Sequence, residues 1–372
     1  MSNTMSYRNK LDKIGPRKLL ALDGGGIRGV ITLEVLAEIE RQLEKKLGRG
    51  NDFVLADYFD YIAGTSTGAI IAACLSLGLR VSDVLGFYIE SGPLMFSKAR
   101  LFRRFWYKYD STPLAKMLQR KFGADTEFGS EKLKTLLMLV LRDATTDSPW
   151  PLSNNPNAKY NTPLTRPGCN LKFPLWQLVR ASTAAPTFFP AESIVINEKR
   201  NLFVDGGVTM YNNPAFQLFL MATVEPYHLN WPTGEDKMLL VSVGTGSGAN
   251  ARSKLTPREL HLLYNASSIP AALMFAALNE QDFLCRVFGK CVVGGWLDRE
   301  VEDMVEKRGP VFPKLFTYLR YNADLTADGL KALGLPGIQP KHVQKMDSTK
   351  YIAELREVGR AAAKTVRAEH FF

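Results

Sequence analysis

Short apolar runs alternate with helical periodicity from the start of the chain. Lys18–Leu22 (KLLAL) stops at Asp23-Gly24-Gly25-Gly26, the pattern of a buried strand entering a tight loop. Beyond it Ile31, Val35, Leu36, Ile39, Leu43 and Leu47 recur at helical spacing, and Gly48 supplies a stop. Tyr58–Ala63 predicts a second buried strand, running into Gly64-Thr65-Ser66-Thr67-Gly68 and then an apolar helix from Ala69 to about Leu77. Two strand–glycine-turn–helix units this close together predict a parallel, doubly wound α/β sheet. Further strands are predicted at Thr135–Leu141, Ile194–Val195, Leu202–Val204 and Met238–Val243. Arg142–Phe173, with Pro149, Pro151, Pro156, Pro163 and Pro167, reads as a long functional loop. From Leu255 onward the pattern is mostly helical, ending in a helix from about Ser348 to Arg367. The expected organisation is a polar segment over 1–17, one catalytic core over 18–246, and a helical C-terminal elaboration over 247–372 packed on the same domain.

Composition narrows the class. The 372 residues are 46% hydrophobic and 23% charged, enough for a large core without metal or disulfide staples. A collagen, a coiled coil and a disulfide-rich secreted module are excluded. Lys and Arg number 47 against 37 Asp and Glu, a net charge of +10, which favours anionic partners: nucleic acid, nucleotides or an acidic membrane surface. Cys74, Cys169, Cys285 and Cys291 fall at no metal or disulfide spacing, which fits a reducing cytosol. The start, MSNTMSYRNKLDKIG, has no apolar signal-peptide region. The longest apolar stretch, Ala69–Leu79, is far short of the ~20 residues that span a bilayer, so membrane contact is expected to be peripheral.

Two glycine turns carry candidate chemistry. Gly24, Gly26 and Gly29 satisfy G-x-G-x-x-G between a strand and a helix, the dinucleotide-binding context. Against that reading, Asp23 sets a carboxylate where a pyrophosphate would lie, and Glu44, near the ribose-binding position, falls inside the predicted helix. The alternative is an oxyanion hole, in which consecutive glycines let backbone N–H groups converge at a helix N-terminus. Gly64-Thr65-Ser66-Thr67-Gly68 fits G-x-S-x-G at a strand-to-helix turn, as a nucleophile elbow requires, with Ser66 as nucleophile. A serine needs a base, yet His228, His261, His342 and His370 all lie in unpromising contexts. Asp205-Gly206-Gly207 follows an apolar strand, where α/β sheets collect their sites. A carboxylate with an ordinary pKa of ~3.9 serves as a base only where burial raises it or its hydrogen bond to the serine is well placed.

Together these elements resemble the patatin-like phospholipase family: Asp23-Gly24-Gly25-Gly26-Ile27-Arg28-Gly29, Gly64-Thr65-Ser66-Thr67-Gly68 and Asp205-Gly206-Gly207 occur in the family's order. Ala181-Ser182-Thr183-Ala184-Ala185-Pro186-Thr187-Phe188-Phe189 resembles the segment that precedes the family's catalytic aspartate. The resemblance implies a three-layer α/β fold with a mostly parallel central sheet, and a dyad in which Ser66 attacks an ester carbonyl while Asp205 takes its proton. It implies that Gly24, Gly25 and Gly26 hold the oxyanion, with Arg28 orienting the loop or meeting a lipid phosphate. Gly29, Gly64, Gly68, Gly206 and Gly207 are the remaining motif glycines, and no metal or cofactor is implied. The C-terminal third, including Asn279–Phe288 and Leu319–Leu330, resembles bacterial patatin-like effectors of cyclic-oligonucleotide antiphage systems. That implies a cytoplasmic enzyme switched on by a cyclic di- or oligonucleotide, acting on the inner face of the membrane as a homo-oligomer, without nucleic acid as a partner.

Phe96–Tyr109 (FSKARLFRRFWYKY) sets Leu101, Phe102, Phe105, Trp106 and Tyr109 on one helical face and basic residues on another. This suits a headgroup-level helix or a surface helix packed on the core; nucleic-acid binding is a third reading, with no recognised nucleic-acid motif beside it. Two rival functions stand beside the lipase: an esterase with a Ser–His–Asp triad, which needs a later histidine, and a non-catalytic nucleotide-binding module.

Overall fold

The computed structural model describes residues 6–50, 52–96, 107–248 and 262–372, with 262–271 by their backbone alone. The first run of the sequence is β1 (Arg17–Leu22), followed by α1 (Gly29–Lys46), α2 (Leu55–Tyr58), β2 (Tyr61–Thr65), α3 (Thr67–Ser76), α4 (Val81–Met95) and α5 (Thr112–Phe122). Then come β3 (Leu136–Asp143), β4 (Ser148–Ser153), α6 (Leu175–Ser182), β5 (Glu192–Ile196), β6 (Lys199–Asp205), α7 (Ala215–Thr223) and β7 (Met238–Val243). The chain closes with α8 (Leu262–Phe288), β8 (Lys290–Val293), β9 (Thr317–Tyr321), α9 (Ala327–Ala332), α10 (Pro340–Val343) and α11 (Ile352–Ala363).

The nine strands among the described residues join one sheet in the order β5-β6-β3-β2-β1-β7-β9-β8, with β4 paired outside this path on β3. The β2, β3, β7 and β9 neighbours in the centre run parallel, and β4, β5 and β6 add an antiparallel margin. This is the expected mostly parallel α/β fold. Leu19–Leu22 of β1 and all of β7 are buried, as strands covered on both faces require. Around the sheet α1 packs with α4 and α11, α5 with α6, and α7 with α8.

Four sequence expectations are corrected. Tyr58 ends a helical turn rather than starting β2, because Asp57 accepts the Val54 N–H (3.3 Å) and closes Leu55–Tyr58 into that turn. Arg142–Phe173 is not all loop: Ser148–Ser153 folds back antiparallel on β3. Pro149 and Pro151 are two apart and so face the same way, and an edge strand tolerates two absent donors on its outer side. The C-terminal third is not merely helical, since β8 and β9 extend the sheet beyond β7. Arg320 hides β9 from a hydrophobicity reading, yet its side chain is buried. The last helix spans only Ile352–Ala363, after a 3-10 turn at Thr349–Tyr351. Most of the basic–aromatic stretch, 97–106, lies outside the described residues; of its ends, Tyr109 is buried and packs with Phe96 and Phe189. Among the described residues no helix is long and apolar enough to cross a membrane.

Candidate active site

Strand β3 brings Ser66 and Asp205 together. Along its length Val140 pairs with Thr65, the last residue of β2, and the next residue, Leu141, pairs with Asp205, the last residue of β6. The ends of two strands from distant parts of the sequence therefore meet on one ladder. Ser66 Oγ donates to Asp205 Oδ2 at 2.6 Å.

Local backbone makes this contact possible. Ser66 takes φ 55° and ψ −120°, a strained conformation for a residue with a side chain, and α3 starts at the next residue. The flanking glycines allow it by close approach. A Cβ on Gly68 would lie 2.2 Å from the Leu22 carbonyl oxygen, and one on Gly64 would lie 2.1 Å from the Gly68 carbonyl oxygen. Gly68→Ala is thus expected to push α3 off β1 and cost about 1–3 kcal/mol, seen as a lower urea midpoint at unchanged m-value. A midpoint equal to wild type would refute the close-packing account.

Asp205 is a buried carboxylate with few partners. Burial pushes its pKa up to about 6, opposed by the bonds from Ser66 and Gly207 N–H and by the Arg180 charge. Gly207 N–H donates to Asp205 Oδ1 at 2.7 Å, which leaves Oδ2 for the serine. Arg180 is buried and donates to the Pro190 carbonyl at 2.9 Å.

The glycine loop sits opposite. Gly24 N–H is committed to the Asn212 carbonyl (3.0 Å), while Thr245 Oγ1 donates to the Gly24 carbonyl (3.0 Å). Gly24 is therefore a clamp of the loop and not an oxyanion donor, a correction that no local pattern could supply. Gly25 and Gly26 keep N–H groups that meet no acceptor among the described residues, and both line the cavity in front of Ser66. Gly26 needs its glycine: φ is +62°, and a Cβ would lie 2.2 Å from the Met346 carbonyl oxygen. That carbonyl accepts the Ile27 N–H at 2.8 Å. Arg28 braces the loop, Nε donating to the Gly25 carbonyl at 3.3 Å, and burial lowers its pKa to about 10 against the pull of Asp23. It is absent from the cavity wall. Gly29 opens α1, and Gly206 and Gly207 form the turn after β6, with Gly206 against the Val140 carbonyl.

The cavity is about 520 Å³, polar at Ser66, Asp205 and Asn212 and apolar beyond, where Ile70, Met95, Leu114 and Phe189 line it. No histidine among the described residues lines it. His342 bonds Glu354 (3.0 Å), and His370 bonds the Tyr321 hydroxyl (2.8 Å); His261 lies outside the described residues. A serine hydroxyl bonded to a carboxylate of raised pKa, in a largely apolar cavity also lined by two glycines whose N–H groups are unengaged, suits acyl transfer from an ester with a long hydrocarbon arm.

Sequence reasoning missed Arg320, Ser182, Asn212, Thr245 and Met346, which hold the loops of the site. Ser182 and Arg320 stood in segments already singled out, Ala181–Phe189 and Leu319–Leu330, but with no role for either side chain. Asn212, Thr245 and Met346 carry no pattern of their own. Arg320 donates to Asp23 in bidentate fashion (2.9 and 2.6 Å) and to Ser242, so Asp23 points away from the cavity.

A family model for patatin-like phospholipase matches residues 20–219. Patatin-T5 of Solanum tuberosum is 31% identical over 259 residues, covering 65% of this chain and 63% of its own length. A cGAMP-activated phospholipase of Vibrio cholerae is 32% identical over 227 residues, covering 58% of this chain and 59% of its own. The chain thus spans about three fifths of the length of these relatives. Among solved structures, VipD from Legionella pneumophila aligns over 92% of this chain and 67% of its own at 14% identity, with a TM-score of 0.36.

Proposed function

The chain belongs to the patatin-like phospholipase family, and on that premise we propose that it hydrolyses membrane phospholipid esters through Ser66 and Asp205. The observation that carries the reading is the 2.6 Å bond from Ser66 Oγ to a buried carboxylate. Asp205 Oδ2 takes the hydroxyl proton as Ser66 Oγ bonds the ester carbonyl carbon. The resulting oxyanion is met by the Gly25 and Gly26 N–H groups, with the dipole of α3 favouring the added charge. Collapse breaks the ester C–O bond, and Asp205 returns the proton to the departing lysolipid alkoxide. Water then adds to the acyl-serine with Asp205 again accepting a proton, and Ser66 recovers its hydrogen as the fatty acid leaves. The apolar part of the cavity receives the acyl chain.

We further propose activation by a cyclic nucleotide, with the enzyme acting from the cytoplasm on the membrane surface in antiphage defence. The Vibrio relative supports this reading by its activator, and the +10 charge favours an anionic ligand. The test is fatty-acid release from phosphatidylethanolamine–phosphatidylglycerol vesicles by wild type and Ser66→Ala, with and without cGAMP and other cyclic dinucleotides. Release that needs Ser66 and rises with one nucleotide is expected. Ser66-dependent release indifferent to every nucleotide would keep the lipase and remove the switch. Absence of release from folded protein under all conditions would favour a binding module instead.

A further inference from the structure

We propose that Ser182 is the positioning residue of this site: its hydroxyl staples the Ser66 backbone to strand β3, the strand that also seats Asp205. The proposal rests on the reading of Ser66 and Asp205 as nucleophile and base. It assigns a task to the Ala181–Ala185 segment, which the chemistry of the site leaves unused.

Ser182 ends α6 and is fully buried. Its Oγ accepts the Ser66 N–H at 2.9 Å and donates to the Val140 carbonyl at 2.7 Å. Val140 is where β3 passes from pairing with β2 to pairing with β6, one residue before Leu141 meets Asp205. Two residues after Ser182, the Ala184 carbonyl accepts the Asp205 N–H at 3.0 Å. The end of α6 and the turn after it therefore hold the backbone N–H of both reacting residues, and the Ser182 hydroxyl ties one of them to the shared strand.

The chemistry explains the residue type. A hydroxyl can donate one bond and accept another at a single small atom, as a bridge between an N–H and a carbonyl demands. Alanine there would orphan a buried donor and a buried acceptor together. Ser66 is also strained, and such a conformation persists only where its surroundings over-determine it. Releasing its N–H lets the residue relax toward ordinary backbone and draws the hydroxyl off Asp205. Misplacement by about 1 Å can cost about 100-fold in rate.

The test compares wild type, Ser66→Ala, Ser182→Ala and Ser182→Cys for kcat and KM on a soluble fatty-acyl ester. The rate at which a fluorophosphonate labels Ser66, located by mass spectrometry, and the thermal midpoint are measured alongside. Ser182→Ala is expected to lower both kcat and the labelling rate by about 10–100-fold while KM stays within about twofold, since binding is untouched and only alignment is lost. Ser182→Cys, with a weaker sulfur donor and acceptor, should fall between the two. A folded Ser182→Ala protein with wild-type kcat and labelling overturns the proposal. If that variant does not fold, wild-type kcat in Ser182→Cys overturns it equally, and a reduced kcat at unchanged KM supports it. An unlabelled wild type together with full turnover by Ser66→Ala would instead overturn the dyad, and the proposal with it.

Discussion

Asp205→Asn is expected to lower kcat by about 10³–10⁴-fold, to the level of Ser66→Ala, with the double variant no worse than either single one. Asparagine keeps the shape and can still meet the Gly207 N–H, but it cannot take the serine proton. Residues that act as a unit lose their effect together, so non-additivity is the signature sought. In wild type, Asp205 must be ionised to act. With its pKa raised to about 6 by burial, kcat/KM should fall tenfold per pH unit below about pH 6, far above the limb an ordinary aspartate would produce. Stability should show the opposite trend. Because the folded-state pKa lies above the unfolded 3.8, this group's contribution is fully present below pH 3.8 and is lost as pH rises through about 6. Asp205→Asn should accordingly be no less stable than wild type at neutral pH. Strong residual turnover in Asp205→Asn would remove Asp205 from the role of base, and an acid limb near pH 4 would show that burial does not raise its pKa.

The largest expected effect on stability is at Arg320. Arg320 and Asp23 are both buried, and burial opposes both charges: it raises the Asp23 pKa against the pull of Arg320, while at Arg320 the pull and hydrogen bonds of Asp23 more than offset it. Asp282 of α8 stands 3.7 Å from Arg320 Nε and is itself bound by Arg286 and the Tyr318 hydroxyl. Arg320→Met would leave the buried Asp23 without its hydrogen-bonded cation at the mouth of the glycine loop, with the weaker pull of Arg28 remaining. Breaking a buried pair from one side typically costs about 3–5 kcal/mol, whereas removing both charges is often close to neutral. Arg320→Met should therefore lower the urea midpoint severely, and Asp23→Asn combined with Arg320→Met should regain much of the loss. A single variant within about 1 kcal/mol of wild type would show that the pair is not a major support of the fold.

The elements that could be read from the chain share a physical property: each is decided within a few residues. A strand covered on both faces is rich in apolar residues, so Lys18–Leu22 and Met238–Val243 announced themselves, and both are strands. A serine held in a strained turn between a strand and a helix needs glycines two residues away on either side, so Ser66 was legible from its own pentapeptide. Asp205 was legible because its strand stops at two glycines. Strand β4 was hidden by prolines that only an edge tolerates, and β9 by an arginine whose partner lies 297 residues away.

The tertiary structure alone decided how these pieces are used. That Gly24 serves as a clamp follows from the Asn212 carbonyl that takes its N–H, and that Arg28 braces the loop follows from its bond to Gly25. The register of β3 sets Ser66 beside Asp205, and the Ser182 hydroxyl bridges to that strand. Periodicity and turn chemistry express what a residue does to its own backbone. A hydrogen bond between residues more than a hundred positions apart leaves no mark on either neighbourhood, and such bonds hold this site together.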